Sequence, residues 1–433
     1  MAYAVTSLFQ YQRWRQFQTR NNSHLIKSLF TKTAPNKELD EGEKDIVIVG
    51  AGVAGLATAV ALRRYGIQSK VLEQAETLRT EGVSISVATN GWRALDALGV
   101  GDELRNQYPE FQGLVLKTED GRDLKSIRFK DEDSRQEGRG VERSSLVVAL
   151  SKQLPPDAIS FSSKLANIES QSGGILLKFQ NGTQLSAKIV IACDGIHSPV
   201  ARWMGFSEPK YAGYYAIQGH GVYPKGQPFE PVVYYICGRG VRLTFFPVSP
   251  TKVYWGVCFN SPSPDGKITD PSILREDALK SLQNCPRELQ AIIDYTPDDS
   301  IVGSPIADRW LWPLVSPSPS KGNVVLVGDA WHPMTPNLGQ GASLALEDSI
   351  VLAKKLAEAL KSETSSIEDA FKAYGKERWP HIFPLPIVAN LVGKFLQWDN
   401  STVCYIRDNL VIPKLLSLQP LYKRVSVEFE SSK

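Results

Sequence analysis

Six residues in one short stretch have the spacing to hold a phosphate pair: Gly50-Ala51-Gly52-Val53-Ala54-Gly55. The β-branched run 45–49 before them reads as a buried parallel strand, and the Ala- and Leu-rich 54–65 after them as a helix closed by Gly66. In that setting each glycine has a task. Gly50 permits the tight turn, Gly52 lets a pyrophosphate approach the backbone, and Gly55 lets helix and strand pack closely. Val53 and Ala54 open the helix, where free N–H groups and the positive end of the dipole favour an anion. A second strand, 69–72, leads to Glu73, eighteen residues after Gly55, where a carboxylate can accept both ribose hydroxyls and repel a 2′-phosphate. This β-α-β unit suits a dinucleotide but does not separate NAD from FAD.

Two later strings bear on that choice. A strand at 189–192 runs into Cys193-Asp194-Gly195-Ile196-His197-Ser198. Another at 324–327 runs into Gly328-Asp329-Ala330-Trp331-His332-Pro333, and then Pro336-Asn337-Leu338-Gly339-Gln340-Gly341-Ala342. With these strings in this order, about residues 45–380 resemble the single-component FAD-dependent monooxygenases, the aromatic-ring hydroxylase family. Within that family the chain looks most like the plant branch related to zeaxanthin epoxidase and salicylate hydroxylase.

The resemblance implies FAD as cofactor, NADPH or NADH as a transiently docked co-substrate, and molecular oxygen with a small-molecule substrate as the other reactants. NAD(P)H reduces the flavin, oxygen adds to it as a C(4a)-hydroperoxide, and one oxygen atom passes to an aromatic ring or alkene. Site roles follow residue by residue. Asp329 would hold a ribityl hydroxyl, Arg143 would contact the ribityl–pyrophosphate side, and Asp194 would join the cofactor site, with Arg79 a weaker candidate. Gly339, Gly341 and Ala342 precede a long helix whose N–H groups can stabilise negative charge on the reduced flavin. The flavin carries the chemistry, so no metal or protein nucleophile is required. Pro336 and Gly339, in the loop expected against the ring, are the candidates for a catalytic part. The competing readings are an FAD epoxidase or oxidase, and a non-catalytic flavin-fold binding protein.

The chain departs from the family twice. The Asp-Gly string usually continues to Val-Arg, whereas here Ala201 follows Val200 and Arg202 comes one position later, so its side chain is expected to point elsewhere. Many members also carry Trp-Arg-Gly on the first substrate-domain strand, where this chain has Ile217-Gln218-Gly219. Without an arginine there to clamp a carboxylate, a neutral or lipophilic substrate is expected. Gln218, His220, Tyr234 and Arg242 are the substrate-contact candidates. His197 and His332 read as structural, and Trp310-Leu311-Trp312, which resembles the W-x-W of flavin halogenases, reads as packing.

The elements that must position these residues define an α/β fold. A Rossmann-like FAD-binding domain is interrupted by a mixed β-sheet substrate domain and followed by a C-terminal helical segment. The FAD-binding parts are expected at 43–107, 141–207 and 311–378. The substrate strands are expected at 108–140 and 208–310, where Tyr, Val and Phe alternate with Gly and Pro turns, and apolar helices at 379–433. At 433 residues the chain exceeds what one core supports. Residues 1–37 hold six basic residues and no acid, leaving 43 basic against 46 acidic elsewhere, so nothing favours nucleic acid. The same composition, rich in Ser and Thr, reads residues 1–42 as an organelle transit peptide, chloroplast foremost, with a disordered basic tail as the alternative. The five cysteines form no C-x-x-C pair, which fits a reducing compartment. No stretch reaches the length of a membrane span, although the tail could touch a membrane surface, and the oligomeric state stays open.

Overall fold

A run such as Ile46-Val47-Ile48-Val49 favours an extended backbone and a place covered on both faces. All four residues are buried, and the strand they form stands in the middle of the first of the three sheets among the described residues. The computed structural model describes residues 44–79, 82–262, 268–362 and 364–418. The expected transit peptide therefore lies outside the described residues, as does the end of the tail.

In chain order the strands begin with β1 (Lys44–Val49), β2 (Lys70–Leu72), β3 (Ser84–Ala88), β4 (Gly113–Thr118), β5 (Asp123–Arg128) and β6 (Gly138–Glu142). They continue with β7 (Ile159–Ser160), β8 (Leu165–Gln171), β9 (Gly174–Phe179), β10 (Gln184–Ala192), β11 (Lys210–Val222) and β12 (Val233–Cys237). The last are β13 (Val241–Ser249), β14 (Lys252–Asn260), β15 (Val302–Asp308), β16 (Ser320–Lys321) and β17 (Val324–Leu326).

The first sheet has the order β16-β17-β10-β1-β2-β7, with the β8–β9 hairpin attached to β10. Its central pairings, β17 with β10, β10 with β1 and β1 with β2, are all parallel. The three strands β1, β10 and β17 thus end side by side, and the glycine turn, the Asp-Gly string and the Gly-Asp string all leave from that one edge. In a parallel sheet this carboxyl edge is where ligands bind. Helices Val53–Arg64 and Gly341–Lys361 pack against each other beside it, with Thr58 Oγ1 donating to Ser349 Oγ at 3.0 Å.

The second sheet has the order β15-β11-β14-β13-β12-β4-β5 and is antiparallel except where β12 meets β4. Its side chains alternate between two faces. Tyr215, Ile217, Leu243, Phe245, Trp255 and Val257 fill a core beneath helices Pro271–Ser281 and Arg287–Asp294. On the other face stand Tyr214, Gln218, Tyr235, Arg242, Thr244, Phe246 and Tyr254. The tail covers part of this second face, where Leu396 and Ile412 pack on Leu116 and Cys237. Helix Ile367–Ile382 runs across the boundary expected at 378, with Pro380 inside it, and helix Pro384–Leu396 follows. β3 and β6 form a small third sheet, which the sequence reading did not anticipate.

Candidate active site

The carboxyl edge of the first sheet and the second face of the second sheet enclose one cavity of about 1570 Å³. A pocket for a single small ligand is roughly 300–1,000 Å³, so this one has room for a dinucleotide and a substrate together.

At the sheet edge the cavity is shaped by backbone. Gly50 has φ +101°, and a Cβ there would lie 2.5 Å from the Cys193 carbonyl oxygen. A Cβ on Gly55 would lie 1.8 Å from the Gly50 carbonyl oxygen, so only glycine lets the helix start this close to the strand. Nothing stands within 4 Å of a Cβ on Gly52, which lines the cavity. Gly52 caps helix Val53–Arg64 without any side-chain hydrogen bond, leaving its first N–H groups available to an anion. Glu73 is buried. Its Oε2 accepts the Ala51 N–H at 2.9 Å, and its Oε1 accepts the Ala75 N–H at 3.0 Å and two Arg79 N–H groups, from Nη2 at 3.1 Å and Nε at 3.3 Å. Oε1 is therefore fully taken, and Oε2 keeps one of its two acceptor positions open. One ribose hydroxyl can be accommodated directly, and the second only by displacing Arg79, so the expected pair of ribose bonds is narrowed.

Asp329 follows β17 in a 3₁₀ turn, and its side chain opens into the cavity. Desolvation raises its pKa, against the pull of His332 and Arg143. Arg143 opens helix Arg143–Ser151 and also lines the cavity, its own pKa lowered first by desolvation and then by the nearby Arg79. Both Asp194 carboxylate oxygens are buried without a hydrogen bond of good geometry among the described residues, and burial pushes the group up to about 6 against the pull of Ser198 and the Val200 N–H. The Thr335–Gly341 loop folds over the same space. Gly339 has φ +61°, and a Cβ there would meet Ser86 Oγ at 3.3 Å. A Cβ on Gly341 would meet only ordinary contacts, so the reason for glycine there is not steric. Pro336 and Ala342 also line the cavity.

A buried ionic cluster lies behind this loop and was missed by the sequence reading. Asp348 Oδ2 sits 2.6 Å from His332 Nε2 and accepts the Gly328 N–H at 3.1 Å, while Asp348 Oδ1 accepts from Arg378 at 2.7 Å. Arg378 also pairs with Glu347 at 3.0 Å. Burial would raise Asp348, but His332 and Arg378 outweigh it and hold the carboxylate below its ordinary range. The cluster ties Gly328 and the turn that carries Asp329 to two helices, and it gives His332 the structural place expected of it.

The substrate-side candidates separate. Gln218 lines the cavity and accepts from Tyr254 Oη at 2.9 Å. His220 is buried one layer back, where its Nε2 meets Ser84 Oγ at 2.8 Å and accepts the Ser84 N–H at 3.2 Å. Desolvation lowers it to about 4, so the ring is neutral. Tyr234 differs from the expectation: it lies on the opposite face, stacked on Phe245 at 4.4 Å, and its neighbour Tyr235 lines the cavity instead. Strand alternation could have shown that only one of the two faces the site, but not which one. Arg242 is buried on the cavity-facing side, against Tyr235. Arg202, expected to point elsewhere, reaches the cavity rim and pairs there with Glu208 at 2.7 Å. Trp310 and Trp312 pack edge to face at 5.9 Å, next to Phe383.

Glycine cradle, uncapped helix start, open Asp329 and cavity size together fit FAD, and the fold is that of a flavoprotein. The FAD binding domain family model matches residues 43–383. Monooxygenase 2 of Arabidopsis thaliana is 35% identical over 86% of this chain and 94% of its own length. The chloroplastic zeaxanthin epoxidase of an Oncidium hybrid cultivar is 29% identical over 85% of this chain and 57% of its own. Klebsiella pneumoniae HpxO, solved with FAD and uric acid, superimposes with a TM-score of 0.76 at 23% identity, covering 89% of this chain and 96% of that one. The chain belongs to the FAD binding domain family and is an FAD-dependent monooxygenase of the plant branch.

Proposed function

We propose that the acceptor of the oxygen atom is a neutral, largely apolar aromatic or alkene compound, with NADPH or NADH as reductant. The observation that carries this reading is the substrate wall. Leu114, Leu116, Val233 and Phe246 from the sheet face Val392 and Phe395 from the tail helix, and no charged side chain from these elements lines the cavity. Bound FAD supplies the redox chemistry. The protein's part is to hold it on the glycine cradle and Asp329, to keep water from the reacting face with the apolar wall, and to orient the substrate at the Gln218–Tyr254 pair.

The test is NAD(P)H consumption and product mass for FAD-loaded enzyme, with naphthalenes and terpenoid alkenes set against salicylate and urate. Apolar compounds should stimulate turnover and gain one oxygen, and the product distinguishes hydroxylation from epoxidation. Salicylate or urate oxidised at comparable efficiency would overturn the reading. We also infer organelle import, to the chloroplast foremost, from the acid-free basic composition of residues 1–37, with support from the chloroplastic zeaxanthin epoxidase among the relatives. A fusion of residues 1–42 to a fluorescent protein that stays diffuse in the cytosol of leaf cells would refute it.

A further inference from the structure

Among the buried arginines of the described residues Arg242 is the exception. Arg378 is neutralised by Asp348 and Glu347, and Arg407 by Asp408 and two backbone carbonyls. Arg309 donates to three backbone carbonyls. Arg242 is only 3% exposed, yet its one hydrogen bond runs from Nη2 to Cys258 Sγ at 3.4 Å. Its Nε and Nη1 are buried without a partner among the described residues. An uncompensated buried guanidinium is costly, and a folded chain keeps one where something else satisfies it.

Its position says what that could be. Arg242 precedes Thr244 and Phe246 by two and four residues on β13, so it shares their cavity-facing side. Tyr235, which lines the cavity, lies against it, with the guanidinium carbon 5.8 Å from the ring centroid. Gln218 is opposite Gly256, which is opposite Thr244, and Arg242 is opposite Cys258, so the cation missing at Gln218 stands two strands away and two residues along, about 12 Å over the sheet.

We propose that Arg242 anchors a phenolic or enolic oxygen on the otherwise apolar substrate, reached by a turn of the Tyr235 side chain. This rests on the apolar-substrate reading above. The substrate is neutral in water and binds as its oxyanion, its proton passing to solvent. An unpaired N–H of Arg242, on Nε or Nη1, donates to the oxygen. The resulting electron-rich ring or alkene is the partner that an electrophilic oxygen transfer requires.

Equilibrium binding to the FAD-loaded enzyme, read by the change in flavin absorbance, tests this with 2-naphthol and 2-methoxynaphthalene. The wild type should bind the naphthol at least about tenfold tighter than the ether, and Arg242→Met, with its FAD retained, should bind both alike. Equal wild-type affinities would overturn the anchoring role while leaving the apolar reading intact. A preference that survives in Arg242→Met would overturn it as well. Binding of neither compound would overturn both readings. Should Arg242→Met fail to hold FAD, Arg242→Lys carries the test. A point charge without the planar fork should weaken the preference, and an unchanged preference overturns the proposal.

Discussion

The two ends of the cavity are made of different material. The cofactor end is backbone: Gly50 and Gly55 sit where no Cβ fits, and a helix start faces the space. The loops around it are anchored by an ionic cluster in which Arg378, Asp348 and His332 meet at hydrogen-bond distance. The substrate end is side chain: aromatic and aliphatic groups from four strands and a distant tail helix, with Arg242 beside them keeping a buried guanidinium without an ion pair. Backbone shape is hard to alter without losing the fold, whereas side chains can be exchanged singly. An enzyme that keeps one cofactor and varies its substrate needs this division.

The largest expected effect contrasts two buried arginines. Arg378→Met strands Asp348 and Glu347 without their cation and should destabilise the protein by about 3–5 kcal/mol. Arg242→Met removes a charge that has no counter-ion, so it should cost nothing or stabilise slightly. Urea unfolding of both variants measures the difference. Equal losses would show that the substrate end is as tightly satisfied as the cofactor end and would dissolve the contrast.

At the cofactor end Asp194 is a buried carboxylate with no ion-pair partner among the described residues, and its effect should be intermediate. Burial pushes its carboxylate up to about 6, more than Ser198 and the Val200 N–H pull it down. An unfolded aspartate titrates near ~3.9. Between these values the folded state holds a proton that the unfolded state has released, so stability falls as pH rises through the window and stays lower above it. The loss is at most about 3 kcal/mol. Asp194→Asn should therefore stabilise flavin-free protein at pH 8 and leave it nearly unchanged at pH 4. Denaturation midpoints at the two pH values check this. A gain of equal size at both would mean that the effect is not ionisation.

How much of each end could be read from sequence follows the same division. That Gly50–Gly55, Glu73, Asp194 and Asp329 meet at one sheet edge was legible because each lies within a few residues of the strand that places it, and a strand–turn–helix string carries its own geometry. The Arg378–Asp348–His332 cluster was not legible, because its bonded members are 16 and 30 residues apart on elements whose facing is decided only by packing. The apolar tail was visible as composition, but its docking onto Leu116 and Cys237 depends on a sheet assembled from distant segments. Arg202 was misplaced because a one-residue shift on a short helix turns a side chain by ~100°, while a long side chain at a rim can still reach back.

The smallest expected effect isolates the one bit of information that alternation left undecided. Tyr234 and Tyr235 are adjacent, alike in composition, and on opposite faces of β12. Tyr234 stacks on Phe245 at 4.4 Å with the rings 4° from parallel, and it meets Phe229 edge to face at 6.1 Å. Phenylalanine keeps that ring, so Tyr234→Phe should change stability by less than about 0.5 kcal/mol and leave the substrate KM alone. Tyr235→Phe removes a hydroxyl on the cavity wall beside Arg242, and should raise the substrate KM about three- to tenfold without changing stability or flavin content. Steady-state kinetics with the best substrate of the wild type reads both. If Tyr234→Phe moved KM as far as Tyr235→Phe, the register of β12 against β13 and β4 would be one residue out, and the side of the sheet assigned to the substrate would be the wrong one.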